Sequence, residues 1–167
     1  VIVVPSHDTA SAYLAVPARD EQAVYLSSGT WSLLGVENEE AILTAEAAAA
    51  GFTNEGAYGN RYRFLKNIMG LWMIQGLKRE MEPKPSFAET EAVARAAASF
   101  ASIVDVNDER FMAPTSMAEA LRSYCRETGQ AEPMDFGDCL VCVYKSLAAF
   151  YKQSVQQLEV ITNKQYT

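Results

Sequence analysis

The sequence predicts an α/β domain, a mixed sheet with flanking helices, and three observations predict it. Segments of strand length, rich in β-branched or aromatic residues, recur at Val1–Val4, Ala23–Ser28 and Trp31–Val36 and, with alternating pattern, at Arg61–Leu65. Between and after them lie segments whose apolar residues return every three or four positions, as on one face of a helix. Two of the strands are joined only by the tight turn Gly29-Thr30, so at least that pair runs antiparallel. Strands interleaved with helices, one hairpin included, give the mixed sheet.

The elements follow in order. Val1-Ile2-Val3-Val4 is a continuous apolar run, the pattern of a strand buried on both faces. Pro5 to Thr9 break it, and Ala10 to Val16 form a short helix that Pro17 ends. The hairpin comes next. Thr44 then opens a short helix over Ala45–Ala50, closed by Gly51. Phe52 to Asn60 is turn-rich around Asn54-Glu55-Gly56, and Arg61–Leu65 alternates like a strand. A helix is predicted from Ile68 to Met81 with Leu71, Ile74 and Leu77 on one face, which puts Asn67 near its start and Gln75 in its middle.

Pro83 and Pro85 punctuate the chain. Ser86 followed three residues later by Glu89 is a capping box, opening a helix through Ala98. Ile103 and Val104 read as a short strand and Asp105–Asp108 as a loop. Thr115 opens a helix reaching Thr128 before Gly129. Asp135 caps a long helix striped by Leu140, Tyr144, Leu147, Tyr151, Val155, Leu158 and Ile161. With no internal repeat and no long linker, the 167 residues are expected to form one domain. Both ends look cut: an interior strand stands first without an initiator Met, and the last helix pattern stops in an uncapped polar stretch.

Composition narrows the function classes. A net charge of −7 with no basic stripe excludes a nucleic-acid partner. There is no 18-residue apolar run, so no membrane span is expected, and Val1–Val4 is too short for a signal peptide. The three cysteines include Cys139-x-x-Cys142, but the single histidine, His7, is more than a hundred residues away and no second such pair exists. Zinc needs four ligands of this kind, so no metal site is expected. Reduced buried thiols in a cytoplasm fit better, with a disulfide from Cys125 to Cys139 or Cys142 left open.

Three places could carry chemistry. Ser6-His7-Asp8-Thr9 follows a buried strand, where open α/β sheets bind ligands, and a carboxylate there can take a proton from a substrate hydroxyl flanked by His7 and Thr9. Spacing alone nevertheless favours Asp8 or Thr9 as a plain helix cap. Ser27-Ser28-Gly29-Thr30 can offer hydroxyl and backbone N–H groups to a phosphate, or be an ordinary hairpin turn. Asn67 and Gln75 can reach two parts of a ligand, or solvate their helix. Trp31 and Trp72 are expected in the core. Composition and spacing assign no reaction beyond this.

The same segments, taken together, carry a resemblance. His7-Asp8-Thr9-Ala10-Ser11-Ala12, Tyr25-Leu26-Ser27-Ser28-Gly29-Thr30-Trp31-Ser32-Leu33, Phe52-Thr53-Asn54-Glu55-Gly56 and Phe64-Leu65-Lys66-Asn67-Ile68-Met69-Gly70-Leu71-Trp72 with Gln75 resemble the FGGY carbohydrate kinases. Within that family they resemble the kinases of L-rhamnulose. The likeness continues through Phe111–Pro114 and Cys125–Gln130 and covers nearly the whole chain.

The resemblance implies an actin-like ATPase, or ribonuclease H-like, fold. It implies transfer of the ATP γ-phosphoryl group to the 1-hydroxyl of L-rhamnulose, with Mg2+. Asp8 would be the catalytic base and, with His7, Thr9 and Asn67, would bind the sugar; Thr30 and Gln75 would bind the nucleotide. Family members begin with a separate domain bearing an Asp-Gly-Thr phosphate loop and continue past the long helix into a glycine-rich adenine-binding segment. Residues 1–167 would then be the start of the C-terminal domain, inactive in isolation and able to self-associate through a bare sheet edge. Three other readings stand beside this one: a kinase of fuculose or xylulose, a non-catalytic binding module on the same fold, and a thiol-redox or zinc module around Cys139-x-x-Cys142.

Overall fold

The computed structural model describes residues 8–18, 20 and 22–166; the expected Val1–Val4 strand and His7 lie outside them. The chain forms two compact units, one from the described residues up to Ile68 together with Tyr151 onward, the other from Met69 to Phe150.

The first unit holds a four-stranded sheet in the order β1-β2-β4-β3, with β1 at Tyr25–Ser28, β2 at Trp31–Asn38, β3 at Phe52–Gly56 and β4 at Tyr62–Met69. The β1–β2 and β3–β4 pairs are antiparallel. Leu34, Gly35 and Val36 in the middle of β2 are all buried, as expected of a strand covered on both faces. One cover is helix α1 (Asp8–Ala15), whose Tyr13 stacks on Tyr25 with ring centroids 4.4 Å apart. The other is the latter part of α6 (Phe136–Thr162), whose Leu158 clusters with Val36, Phe52 and Phe64. Gly35 allows β2 and β4 to approach closely: a Cβ there would sit 2.2 Å from the Phe64 carbonyl oxygen.

Helix α2 (Ala45–Ala49) forms as expected, with Thr44 Oγ1 accepting from the Ala47 N–H at 3.1 Å and Gly51 taking the positive φ of 76°. The turn-rich reading of Phe52–Gly56 is corrected, since these residues form strand β3. Its support is non-local. The Asn54 side chain accepts from the Ile42 N–H at 2.9 Å and donates to the Ile42 carbonyl at 2.8 Å, imitating a ladder, while Glu55 stands opposite Arg63.

The second unit contains α3 (Trp72–Arg79), α4 (Phe87–Ala96), α5 (Met117–Glu127) and the first part of α6. Helix α3 starts four residues later than expected, because Ile68 and Met69 complete β4 as buried strand residues. The Ser86–Glu89 capping box is present. Helix α5 is capped by Ser116 rather than Thr115, and the Glu80 carboxylate beyond the end of α3 reinforces that start. It accepts from Ser116 Oγ at 2.9 Å and from the N–H groups of Met117 and Ala118.

Ile103 and Val104 are not a strand. The Gln130 amide brackets Ile103, accepting from its N–H at 3.0 Å and donating to its carbonyl at 2.8 Å, and Ser146 Oγ accepts from the Val104 N–H at 2.8 Å. Side chains here do what a neighbouring strand would otherwise do. Asp135 opens α6 as expected, its carboxylate accepting from the Asp138 N–H at 2.9 Å.

Candidate active site

Asp8 is the first residue of α1 and is exposed. An eight-residue helix has little stability of its own, and α1 is held by the three residues it buries, Thr9, Ala10 and Tyr13. Asp8 Oδ1 accepts from the Thr9 N–H at 2.7 Å and from the Thr9 hydroxyl at 3.4 Å. Thr9 is only 5% exposed, and its hydroxyl donates to the carboxylate beside it.

Thr30 lies exposed in the β1–β2 turn. The Gly29 N–H donates to the Trp31 carbonyl at 3.0 Å, so this donor closes the turn itself. Trp31 is 47% exposed, which corrects the expectation of a core tryptophan: it is the first residue of β2, next to the turn. Trp72 is partly buried and structural. Its Nε1 donates to the Phe111 carbonyl at 3.2 Å and the Arg79 guanidinium lies 4.5 Å from its ring.

Asn67 is on strand β4, not near a helix start, and is exposed between buried Lys66 and Ile68. Arg63, four residues earlier on the same strand, lies 5.9 Å from the Tyr13 ring and therefore faces α1. Even spacing along a strand keeps a residue on one face, so Asn67 shares the α1 face of the sheet. The fold thus brings Asn67 and the helix that carries Asp8 to one side of β4. Gln75 is exposed on α3, in the other unit.

Beneath α1 lies a row of residues that includes Arg63, which falls in none of the segments that carry the resemblance. Tyr25 pairs with Gly35 and Glu55 with Arg63, and Arg63 Nη2 donates to Glu55 Oε2 at 2.9 Å. The one sequence signal for the ion pair is an acid and a base eight residues apart across a glycine-bearing connection. Burial pushes the Tyr13 hydroxyl above its usual pKa, with the positive charge of Arg63 opposing that shift.

Cys139 and Cys142 sit on α6, buried, with their thiols pushed up by burial to about 11 and about 12. Thiols so shifted are poor nucleophiles, and a redox role for this pair has no support. All three cysteines are free thiols. A cavity of about 440 Å3 in the first unit is lined by residues including Glu37, Glu39, Glu40, Arg61 and Lys164, and by none of the expected site residues. Its three carboxylates outnumber its two cations, Arg61 and Lys164, which disfavours phosphate groups there.

Residues 24–166 match the C-terminal domain of the FGGY family of carbohydrate kinases. The chain belongs to this family. The matched region contains Thr30, Asn67 and Gln75 and begins after Asp8. Comparison with curated relatives reaches further toward the start. The chain is 51% identical to the rhamnulokinase of Oceanobacillus iheyensis over 96% of its length, 47% to that of Halalkalibacterium halodurans over 99%, and 41% to that of Bacillus subtilis over 98%. These alignments cover 34%, 35% and 34% of the relatives, so the chain spans about a third of the length of the FGGY kinases it matches.

Proposed function

We propose that this chain is the base-bearing part of an ATP-dependent kinase of L-rhamnulose, the start of the C-terminal domain of a cytoplasmic sugar kinase with the actin-like fold. The observation that carries the reading is an exposed carboxylate, Asp8, at the head of a helix on the same sheet face as Asn67, within a sequence half identical to a rhamnulokinase. No helix among the described residues is long and apolar enough to cross a membrane.

In the proposed reaction the Asp8 carboxylate accepts the proton of the sugar 1-hydroxyl. That oxygen bonds to the γ-phosphorus of ATP as the bond to the β–γ bridging oxygen breaks, giving a 1-phosphate ester and ADP. Little covalent chemistry is required of the protein, so positioning dominates. Thr9, bonded to Asp8, keeps the carboxylate oriented; Asn67, with His7, Asp8 and Thr9, holds the sugar; the Thr30 hydroxyl meets nucleotide phosphate oxygens; and Gln75 meets the nucleotide. Among the described residues no group of three or more His, Cys, Asp or Glu side chains could hold a metal ion. Magnesium would travel on the ATP phosphates, which suits an ion that keeps much of its water.

The test is an ADP-release assay on the protein expressed from the whole reading frame that encodes this chain, with L-rhamnulose, L-fuculose and D-xylulose as acceptors. Preference for L-rhamnulose, with Asp8→Asn lowering kcat by about three orders of magnitude, is expected. Undiminished turnover by Asp8→Asn would remove Asp8 from the reaction. Preference for another ketose would overturn the substrate. The 167-residue chain alone is expected to be inactive.

A further inference from the structure

We propose that Tyr13, clamped between Tyr25 and Arg63, is a positioning residue that fixes where α1 presents Asp8; this rests on the reading of Asp8 as the base. Helix α1 has eight residues, about two turns, too few to persist without packing. Its buried contacts are Thr9, Ala10 and Tyr13, and only the last is large. Along a helix each residue turns the chain by about 100° and advances it about 1.5 Å. A slip of Tyr13 by a single position would therefore carry Asp8 to another direction altogether.

Two independent contacts prevent that slip. The Tyr13 ring lies 4.4 Å from that of Tyr25 with an interplanar angle of 19°, which fixes the roll of the helix over β1. On β4 the Arg63 guanidinium stands 5.9 Å from the Tyr13 ring, within reach of its negative face. Arg63 is 3% exposed; among the described residues only Nη2 is paired, to Glu55, while Nε and Nη1 have no hydrogen-bond partner. A buried guanidinium with two unmet donors is costly, and an aliphatic residue would fill the same space without that cost. Its remaining partner is the face of Tyr13. The pair Glu55–Arg63 in turn locks the guanidinium across β3 and β4, so the helix is referenced to both sides of the sheet.

Transition-state geometry is sensitive on this scale, since displacement of a reacting group by about 1 Å can lower the rate about 100-fold. The experiment uses the protein from the whole reading frame and the variants Tyr13→Leu, Tyr13→Phe, Tyr25→Leu and Asp8→Asn. Expected for Tyr13→Leu is a fall in kcat of about 10- to 100-fold with the KM for ATP changed less than about threefold. Tyr13→Phe, which keeps the ring and loses only a 3.5 Å hydrogen bond to the Tyr25 carbonyl, should restore kcat to within about threefold. Tyr25→Leu, at a half-buried site, covers the case in which Tyr13→Leu fails to fold, and should lower kcat in the same way.

Amide hydrogen exchange should accelerate in α1 of both leucine variants and not in β3 or β4. Equal kcat for wild type and the folded leucine variants, with Asp8→Asn inactive, overturns the positioning role alone. An active Asp8→Asn overturns the base assignment and this inference with it.

Discussion

Ser32 Oγ and Tyr151 Oη lie 2.7 Å apart, joining β2 to α6 by a single hydroxyl–hydroxyl bond. Ser32 is fully buried, so among the described residues its hydroxyl depends on that partner. Tyr151→Phe should destabilise the protein by about 1–3 kcal/mol by stranding the serine. Adding Ser32→Ala should recover part of the loss, because the stranded group is then gone. Urea unfolding of the two single variants and the double variant measures both effects.

Two glycines should respond very differently to alanine. At Gly35 a Cβ would meet the Phe64 carbonyl oxygen at 2.2 Å and Leu65 Cα at 2.6 Å, backbone that cannot step aside. Gly35→Ala should cost about 3 kcal/mol or more, or prevent folding. At Gly76 the obstacle is the Met117 side chain, with its mobile Cε at 3.0 Å but its Cβ, fixed to α5, at 3.2 Å. Helix propensity favours alanine there by about 1 kcal/mol, so Gly76→Ala should be close to neutral. Thermal melts of the pair distinguish them.

The capping box predicts an acid limb. The Ser86 hydroxyl and then the Ser86 backbone N–H hold the Glu89 carboxyl below the usual carboxylate range. A depressed folded pKa contributes stability above the unfolded value, about 4.3, and that contribution disappears as pH falls through the folded value. Glu89→Gln should therefore differ from wild type near neutrality and converge with it in acid. Helix content of α4 followed by hydrogen exchange between pH 3 and 7 gives the comparison.

The thiols should be silent in the folded protein. Burial raises Cys125, Cys139 and Cys142, so little thiolate exists at pH 8 and none of it meets solvent. Labelling by a disulfide reagent should accelerate with urea in step with unfolding. A thiol that reacts within seconds in native buffer would contradict the placement.

What the sequence disclosed was whatever is encoded within one turn or one heptad. The Ser86–Glu89 box, the Thr44 cap with Gly51, the hairpin at Gly29-Thr30 and the stripe of α6 all appear where local chemistry puts them. What it concealed depends on partners far along the chain. Strand β3 has a poor β-forming sequence, Phe-Thr-Asn-Glu-Gly, and exists because Asn54 grips Ile42 and Glu55 meets Arg63. Ile68 and Met69 suit a strand or a helix equally, and the long buried run of β4 claims them.

The candidate site divides the same way. Asp8, Thr30, Asn67 and Gln75 could be named because they fall in recognisable segments, and each is exposed. Asn67 was legible as a residue but not as a strand position, so its sharing a face with α1 emerged only from the register of Arg63. Tyr13 and Arg63 carry no sequence signature, since a tyrosine on a short helix and an arginine in a strand are common in any sequence.

The carboxylate of Glu80 has a consequence of its own. It supplies the opening of α5 from 36 residues upstream, through Ser116 and the first amides of that helix. A synthetic peptide of residues 115–129 should fray over its first turn even though its own serine cap is intact. Deleting one carboxylate in the parent, Glu80→Ala, should loosen that same turn without touching a residue of the helix it governs.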